Sequence, residues 1–375
     1  MHWQNVEVAK TDSVTMSGQT KTYELNEKGL VSALMLHAKF TADSSQVDQT
    51  KQRILDWLSK IEVVGDDTDV IKSLSGRELA ACNFFDLGRP VVERVSEVDG
   101  VVNEALLAIM FGRSMYDTSY MLDLSRWNKV ELNITNDDSD TGNFFDAGTY
   151  SVHQLELKNS GVAPLGYLKT YRAKNWTPSA AVDDYTEKVP EAHPLRKIFA
   201  VVVPTAVAKS AAYTNEAIDI LDEIKLTYKS DDVVVFDHPI DFLMNQNALD
   251  YGTVETIAEV VGNDNEYFDS FMAYTHGGSI VPLDAATQNT SSLAGLTNFP
   301  ETRLQVTEIG LAANQGCIAT VNGIGYANAF IFDFDLLKDM LGLLDPAAMA
   351  TVKVKMTSAA AEGTVGLCFE QAKAY

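Results

Sequence analysis

The chain has 375 residues, of which 46% are hydrophobic and 9% are aromatic, and its 29 Lys and Arg against 52 Asp and Glu give a formal charge of −23. This apolar content excludes an intrinsically disordered chain, and the length predicts about two domains. The acidic balance would repel a phosphate backbone, so it disfavours direct nucleic-acid wrapping and is typical of a solvated acidic surface.

The sequence also disfavours membrane spans, secretion, disulfides and metal sites. No run approaches 18 apolar residues, and the first 18 residues lack the charged and then apolar build of a signal peptide. Cys82, Cys317 and Cys368 have no CxxC spacing, which is typical of buried thiols in a reducing compartment. No close metal spacing joins the six histidines, and we therefore predict no catalytic, cofactor-binding or metal-binding residues.

Strand patterns come first along the chain. Residues 23–40 include an early apolar strand, and Ile61, Val63 and Val70 alternate as strand residues do. The Gly-Asp-Asp triplet at 65–67 is familiar from polymerases, but here it stands between two apolar runs and predicts a turn. Together these features predict a β-hairpin.

A short helix is predicted directly after the hairpin. Ser75 with Glu78 three residues later fits a capping box, and Leu79 begins an apolar face that recurs at helical spacing. Gly88 suits the left-handed position after a helix, and Pro90 prevents continuation. The phrase "NFFDLG" at 83–88 thus marks the end of a helix.

Two more alternating strands follow, and then a proline-rich segment. "KVELNITND" from Lys129 and "GTYSVHQLEL" from Gly148 alternate with a period of two. Residues 161–194 hold four prolines in mixed polar sequence and are predicted to form a connector. Residues 1–160 would then be one domain.

The second half repeats these elements in the same order. After an apolar strand within 193–207, residues 221–234 match residues 58–71 without a gap, with identities at Leu58/Leu221, Ile61/Ile224, Asp69/Asp232 and Val70/Val233. One added residue then aligns "NALDYG" at 247–252 with "NFFDLG". The ordered matches predict an internal duplication.

The repeat predicts a second helix and its surroundings. Asp237 and Pro239 would start this helix, Phe242 and Leu249 would lie on its apolar side, and Gly252 would end it. Late strands from Thr351 and Gly363 answer those from Lys129 and Gly148. The second copy is longer, and residues from about 255 to 325 are rich in Gly, Ser, Thr, Asn and Pro, which predicts long surface loops.

These elements predict an all-β fold of two tandem eight-stranded jelly-roll β-sandwiches with short helices in loops. The first sandwich would span 1–160, and the second would span 195–375 with the insertion. The succession "KIEVVGDDTDVIKSLSGRELAACNFFDLGRP" followed by "MLDLSRWNKVELNITND" resembles the double jelly-roll major capsid proteins of tailless icosahedral bacterial viruses, which often enclose an internal membrane. The resemblance covers most of the first half and, through the repeat, the second half more faintly.

This resemblance implies a structural protein of the virion, made in the host cytoplasm, and not an enzyme. Three copies would form a trimer of hexagonal outline, with loops of the second copy projecting outward as a tower. The partners it implies are other copies of the chain, minor capsid or vertex proteins, and an internal viral membrane. The charge of −23 disfavours contact with the genome.

Several short motifs have simpler explanations than catalysis or metal binding. "THGGS" at 275–279 resembles an esterase turn, but no GxSxG motif accompanies it, so a loop is predicted. "NDDSDTG" at 136–142 lacks the glutamate of a calcium loop, and "NGIGYAN" at 322–328 predicts a tight turn. Asp333 and Asp335 would share one face of a strand, where solvated or turn-capping acids are expected.

A carbohydrate-binding or carbohydrate-active β-sandwich protein is the alternative function. Trp57, Trp127, Trp176 and Tyr326 could each stack on a sugar, although large aromatic residues in a sandwich more often pack in its core.

Overall fold

The first half of the chain folds into ten strands and two helices, most of which follow from the alternation of apolar residues. The computed structural model describes residues 1–15, 18–26, 28–43, 53–137, 144–205, 217–229, 231–261, 266–269, 271–282, 303–306, 316–361 and 363–375. The elements of the first half, here called the first unit, are β1 (His2–Val14), β2 (Thr20–Glu24), β3 (Leu30–Ala42), α1 (Ile54–Trp57), β4 (Leu58–Gly65), β5 (Asp69–Leu74), α2 (Gly76–Leu87), β6 (Val92–Arg94), β7 (Val102–Met110), β8 (Leu122–Asp123), β9 (Val130–Asn136) and β10 (Phe145–Lys158).

The second half, here called the second unit, contains thirteen strands and three helices. Its elements are β11 (Gly166–Trp176), β12 (Asp184–Lys188), β13 (Leu195–Val203), α3 (Ala217–Ile220), β14 (Leu221–Tyr228), β15 (Val233–Pro239), α4 (Ile240–Tyr251), β16 (Val254–Val261), β17 (Glu266–Asp269), β18 (Met272–Pro282), β19 (Arg303–Val306), β20 (Gly316–Tyr326), β21 (Ala329–Asp333), α5 (Pro346–Met349), β22 (Lys353–Ser358) and β23 (Thr364–Ala374).

The two units share one strand order. In the first unit the chain builds the sheet β1-β10-β3-β7, extended by β6, and the row β2-β9-β4-β5. In the second unit it builds β11-β23-β13-β21 and β12-β22-β14-β15. Each strand therefore has a counterpart in the other unit, and each unit is an eight-stranded sandwich of two four-stranded sheets, as the sequence predicts.

Irregularities of the backbone also recur at counterpart positions. The pairing of β4 with β9 slips between Leu58 and Lys60, and that of β14 with β22 slips between Leu221 and Glu223. Three further slips recur in the same way; they lie at Glu7/Ala9 and Arg172/Lys174, at Leu155/Glu156 and Glu370/Gln371, and at Val63/Val64 and Leu226/Thr227. Such slips are β-bulges that bend a strand, so the two units share their bends as well as their strand order.

The hairpin turn corrects one detail of the predicted repeat. Three residues, 66–68, separate β4 from β5, whereas four residues, 229–232, separate β14 from β15. Val70 lies opposite Val64, and its counterpart Val234 lies opposite Thr227. The Asp69/Asp232 and Val70/Val233 matches are therefore wrong by one position, because the added residue lies in the turn.

The two predicted helices are present with their predicted ends. Ser75 Oγ accepts a hydrogen bond from the Glu78 N–H (3.3 Å), and Glu78 Oε2 accepts one from the Ser75 N–H (2.7 Å), which completes the capping box before α2. Gly88 follows α2 with φ 67°, the left-handed region that favours glycine, and Gly252 follows α4. No helix of the described residues is long and apolar enough to span a membrane.

The structure differs from the sequence prediction in two segments. Residues 161–194, predicted to be a connector, contain β11 and β12, which pair with β23 and β22 of the second unit. Within 255–325, where long loops were expected, β16, β20 and β18 form a three-stranded sheet. Their small polar residues resemble loop sequence, yet each strand gains a backbone ladder from its neighbours. Residues 283–300 lie outside the described residues.

Candidate functional site

The two units meet along one extensive contact, here called the seam, which β5 and α2 form with β11, β13 and β23. At its centre β5 pairs with β11 in parallel, with Lys72 opposite Thr170 and Ser73 opposite Tyr171. This pairing joins one sheet of each unit into a single eight-stranded sheet. Phe199 of β13, which is fully buried, belongs to the same apolar cluster as the first unit's core. The units are therefore joined by both backbone and apolar contacts.

A buried ion network lies in the seam. Arg196 Nη1 donates to Asp86 Oδ1 (2.8 Å) and Glu370 Oε1 (2.6 Å), and its Nε donates to Asp335 Oδ2 (3.0 Å). Lys197 Nζ donates to Asp86 Oδ2 (2.7 Å). Both basic side chains have no solvent exposure.

Lys72 completes the network from the first unit. Its Nζ lies 3.5 Å from Glu370 Oε2 and donates to Thr170 Oγ1. The network then holds three cations, Lys72, Arg196 and Lys197, and three carboxylates, those of Asp86, Asp335 and Glu370. Because buried charges are costly unless paired, this balance permits charged groups inside the contact.

The network sets the ionisation of its members. Burial opposes the ionised form of Glu370, but attraction to Lys197, Lys72 and Arg196 outweighs it, so the pKa of Glu370 lies below its ordinary value. Burial also opposes the charge of Lys197, yet Asp86 and Glu370 raise its pKa above the ordinary value. The network is therefore fully ionised at neutral pH.

The seam also contains a group of metal-ligand atoms, but their chemistry does not suit a cation. Donor atoms of Cys82, Asp86 and Glu370 lie within 4.8 Å of one another, and all three residues are buried. Burial raises the pKa of the Cys82 thiol to about 12, so the thiolate is not available at neutral pH. Both carboxylates are already neutralised by Arg196 and Lys197.

Aromatic residues of both units pack at the end of α2. Phe84 lies 5.5 Å, between ring centroids, from Tyr326, and Phe85 lies 5.1 Å from Tyr251 of α4. Phe85 is 3% exposed. This side of α2 is thus covered by the second unit.

The asparagine of the doubled phrase ties each helix to its own sandwich. Asn83 Nδ2 donates to the Ala108 carbonyl (2.6 Å), and the Ala108 N–H donates to Asn83 Oδ1 (2.8 Å). Asn247 makes the same two bonds with Ile331, at 3.0 and 2.9 Å. The side-chain amide therefore takes the place of a neighbouring strand on β7 and on β21.

The outer face of α4 corrects the sequence prediction. Phe242 and Leu249, expected on the buried apolar side, are 54% and 89% exposed. The buried positions of α4 are Ile240, Leu243, Met244 and Asn247. Leu249 is the counterpart of the buried Phe85, so a side that is covered on α2 is open on α4.

A groove lies beside this open face. It has a volume of about 250 Å³ and is lined by β15, α4 and β21 residues that include Phe236, Leu243 and Phe332. Val234 and Val235 of β15 are 46% and 40% exposed. These exposed apolar residues form a candidate contact surface.

The residues considered for sugar stacking are largely in the core. Trp57, Trp176 and Tyr326 are at most 7% exposed. Trp127 is partly buried; its Nε1 lies 3.3 Å from Asp69 Oδ2, and its ring packs edge-on against Tyr167. These four side chains therefore do not form an exposed aromatic platform.

The remaining sequence motifs have structural roles where they are described. "THGGS" lies within β18 rather than in a loop, and residues 327–328 form a turn between β20 and β21. Asp333 accepts from the Tyr251 hydroxyl (2.9 Å), whereas Asp335 binds Arg196, so the two carboxylates are engaged separately. Residues 138–142 of the calcium-like motif lie outside the described residues. Cys82 and Cys368 are buried free thiols.

The whole chain matches solved structures of viral capsid proteins. The major capsid protein of bacteriophage PM2 matches with a TM-score of 0.54 at 8% identity, over 100% of this chain and 98% of that one. A chain of the Sulfolobus turreted icosahedral virus structure matches with a TM-score of 0.59 at 9% identity, over 99% and 90%. A chain of the PBCV-1 virus capsid matches with a TM-score of 0.54 at 9% identity, over 99% and 93%.

These matches, together with the shared strand order, show that the chain has the double jelly-roll fold. No protein-family model matches the sequence, and no curated protein matches it either.

Proposed function

We propose that this protein is the major structural subunit of an icosahedral virus shell and that it assembles as homotrimers of hexagonal outline. The observation that carries the proposal is the identical strand order of the two units within one chain. The similarity of the whole fold to capsid proteins of several icosahedral viruses supports the same conclusion.

The duplication provides a physical reason for the trimer. A ring of three chains with two similar sandwiches each presents six similar walls, so it can tile a shell as a six-sided block. A closed threefold ring achieves this with one kind of chain. The buried seam keeps the two sandwiches in fixed positions, because its network is covered and its sheet is continuous.

In this role the protein resides in the virion and carries out no reaction of its own. Its partners would be other copies of the chain, minor capsid or vertex proteins, and an internal viral membrane. The net charge of −23 supports a membrane or protein partner over the genome at the inner surface of the shell.

Native mass spectrometry and negative-stain imaging of the purified full chain test this proposal. We expect a species of three times the chain's mass and particles with a six-sided outline. A strictly monomeric protein under all assembly conditions would contradict it.

A further inference from the structure

Two strands at the edges of sheets are the counterparts of the two strands that join at the seam. β5 and β11 pair with each other inside the chain, and their counterparts are β15 and β1. Among the strands of the described residues, β15 and β1 each lie at the end of their sheet, with one edge unpaired. Unpaired edges that carry apolar residues readily accept another strand.

The helix beside β15 shows the same contrast. Asp86 of α2 is 4% exposed and lies in the seam, whereas its counterpart Asp250 on α4 is exposed. Phe85 is 3% exposed, whereas its counterpart Leu249 is 89% exposed. The seam surface of the first unit is therefore present again on the second unit, without a cover.

The covering surface is also present twice. In the seam, Phe199 of β13 and Ala329 of β21 lie on the face of the sheet that the first unit covers, with at most 1% exposure. Their counterparts by strand register are Met35 of β3 and Leu106 of β7. Leu106 is 40% exposed, and the neighbouring Val92 is 67% exposed.

We propose that β15 and α4 of one copy dock on β1 and on the outer face of the β3–β7 sheet of a second copy, and so repeat the seam between chains. This inference rests on the self-assembly proposed above. The register of the seam then places Phe236 opposite Asn5 and Asp237 opposite Val6. The occupant is a second copy because this chain already binds the same kind of surface with the same elements.

The new contact differs from the seam in its charges. The positions of Lys72, Arg196, Lys197 and Glu370 are taken by Phe236, Ser32, Ala33 and Leu155. Three of these four are apolar, so separately folded chains can join without burying ions. The charges also discriminate between the two contacts, because the carboxylate of Asp86 finds its cations only on β13.

Head-to-tail contacts of this kind are heterologous, since each copy offers one surface of each type. They generate a closed ring when the rotation between neighbours divides a full turn, and an open chain otherwise. Each copy in a ring would use both surfaces once.

The test compares three single substitutions in the full-length chain. Leu249→Glu alters the α4 face, Leu106→Glu alters the β7 face, and Val182→Glu is the control, because Val182 is 79% exposed and lies beside β12 at the far end of the sheet from β15. Analytical ultracentrifugation measures the dissociation constant of self-association. We expect the first two variants to raise this constant at least tenfold and the control to leave it within about twofold.

A cross-link keeps the test independent of folding. Asn5→Cys and Asp237→Cys together place thiols on the two exposed strands, and a short bis-maleimide should join them between chains. The parent chain and each single variant, treated with the same reagent, account for the native cysteines. We expect covalent oligomers only from the double variant.

The outcomes separate this inference from the proposed function. A parent chain that stays monomeric contradicts the self-assembly itself. A parent that associates normally, with Leu249→Glu, Leu106→Glu and the double-cysteine variant all behaving like their controls, leaves self-assembly intact and overturns this assignment of the contact.

Discussion

Asn83 closes a two-bond ring with Ala108, in which its side-chain amide donates to the Ala108 carbonyl and accepts from the Ala108 N–H. Asn247 repeats this ring with Ile331. The doubled phrase therefore holds more than a helix end, since its first residue fixes each helix against a strand that has no neighbour on that side.

Replacing this asparagine should destabilise the fold. Asn83→Ala leaves a buried N–H and a buried carbonyl of Ala108 without partners, and each such group costs about 1–3 kcal/mol. We expect the free energy of unfolding to fall by about 3 kcal/mol, and Asn247→Ala to behave similarly. Urea unfolding followed by circular dichroism measures the change. Asn245→Ala on the exposed side of α4 is the control; a loss as large as that of Asn83→Ala would contradict the assigned role.

Arg196→Met should be among the most damaging single changes in the protein. It leaves Asp86, Asp335 and Glu370 with two cations among three buried carboxylates, and breaking a buried pair in this way costs about 3–5 kcal/mol. Chemical unfolding measures the loss. Lys225→Met provides the matched control, because Lys225 pairs with Asp237 at the surface and such pairs contribute about 0–1 kcal/mol. Equal effects of the two substitutions would show that the seam network is not stabilising.

The network should also make stability depend on acid. The pKa of Glu370 is lower in the folded protein than its ordinary value of 4.5, so its contribution is complete above that value and is lost as the pH falls below it. Glu370→Gln should therefore cost more stability at pH 7 than at pH 3. Urea titrations of parent and variant at both pH values measure this difference. A cost that stays constant between the two pH values would exclude a role of Glu370 ionisation, and Glu7→Gln on β1 serves as the exposed control.

Gly88 should resist substitution for a purely conformational reason. It has φ 67°, and a Cβ atom added there would meet no atom within 4 Å. Gly88→Ala should lower the free energy of unfolding by about 1 kcal/mol, because left-handed backbone is unfavourable for residues with a Cβ. Gly161→Ala also meets no atom within 4 Å, but Gly161 does not have a positive φ, so thermal unfolding should show no loss there. A neutral Gly88→Ala would contradict this explanation.

Local signals in the sequence predicted the local structure well. The alternation of Ile61 and Val63, the capping box from Ser75 to Glu78 and the stop at Gly88 depend on neighbours within a few residues, and all three predictions are confirmed. The strands from Lys129 and Thr351 are confirmed for the same reason, since buried and less buried residues alternate along them.

Features that depend on distant partners were missed. β11 and β12 contain few continuous apolar residues and were predicted to be a connector, yet β23 and β22 provide their ladders. The side of α4 was assigned wrongly because Phe242 and Leu249 are apolar but have no cover within one chain. The ion network joins residues from α2, β13 and β23; its one local sign is the Arg196-Lys197 pair inside an apolar strand.

The recurrent bulges outlast the residues that form them. Glu7 and Ala9 share no side-chain chemistry with Arg172 and Lys174, yet the strand kinks at the same step in both places. A single-copy ancestor would have carried those kinks already, and later change was then confined to what the backbone displays. Descent in such proteins is therefore recorded more durably in where strands bend than in which letters they spell.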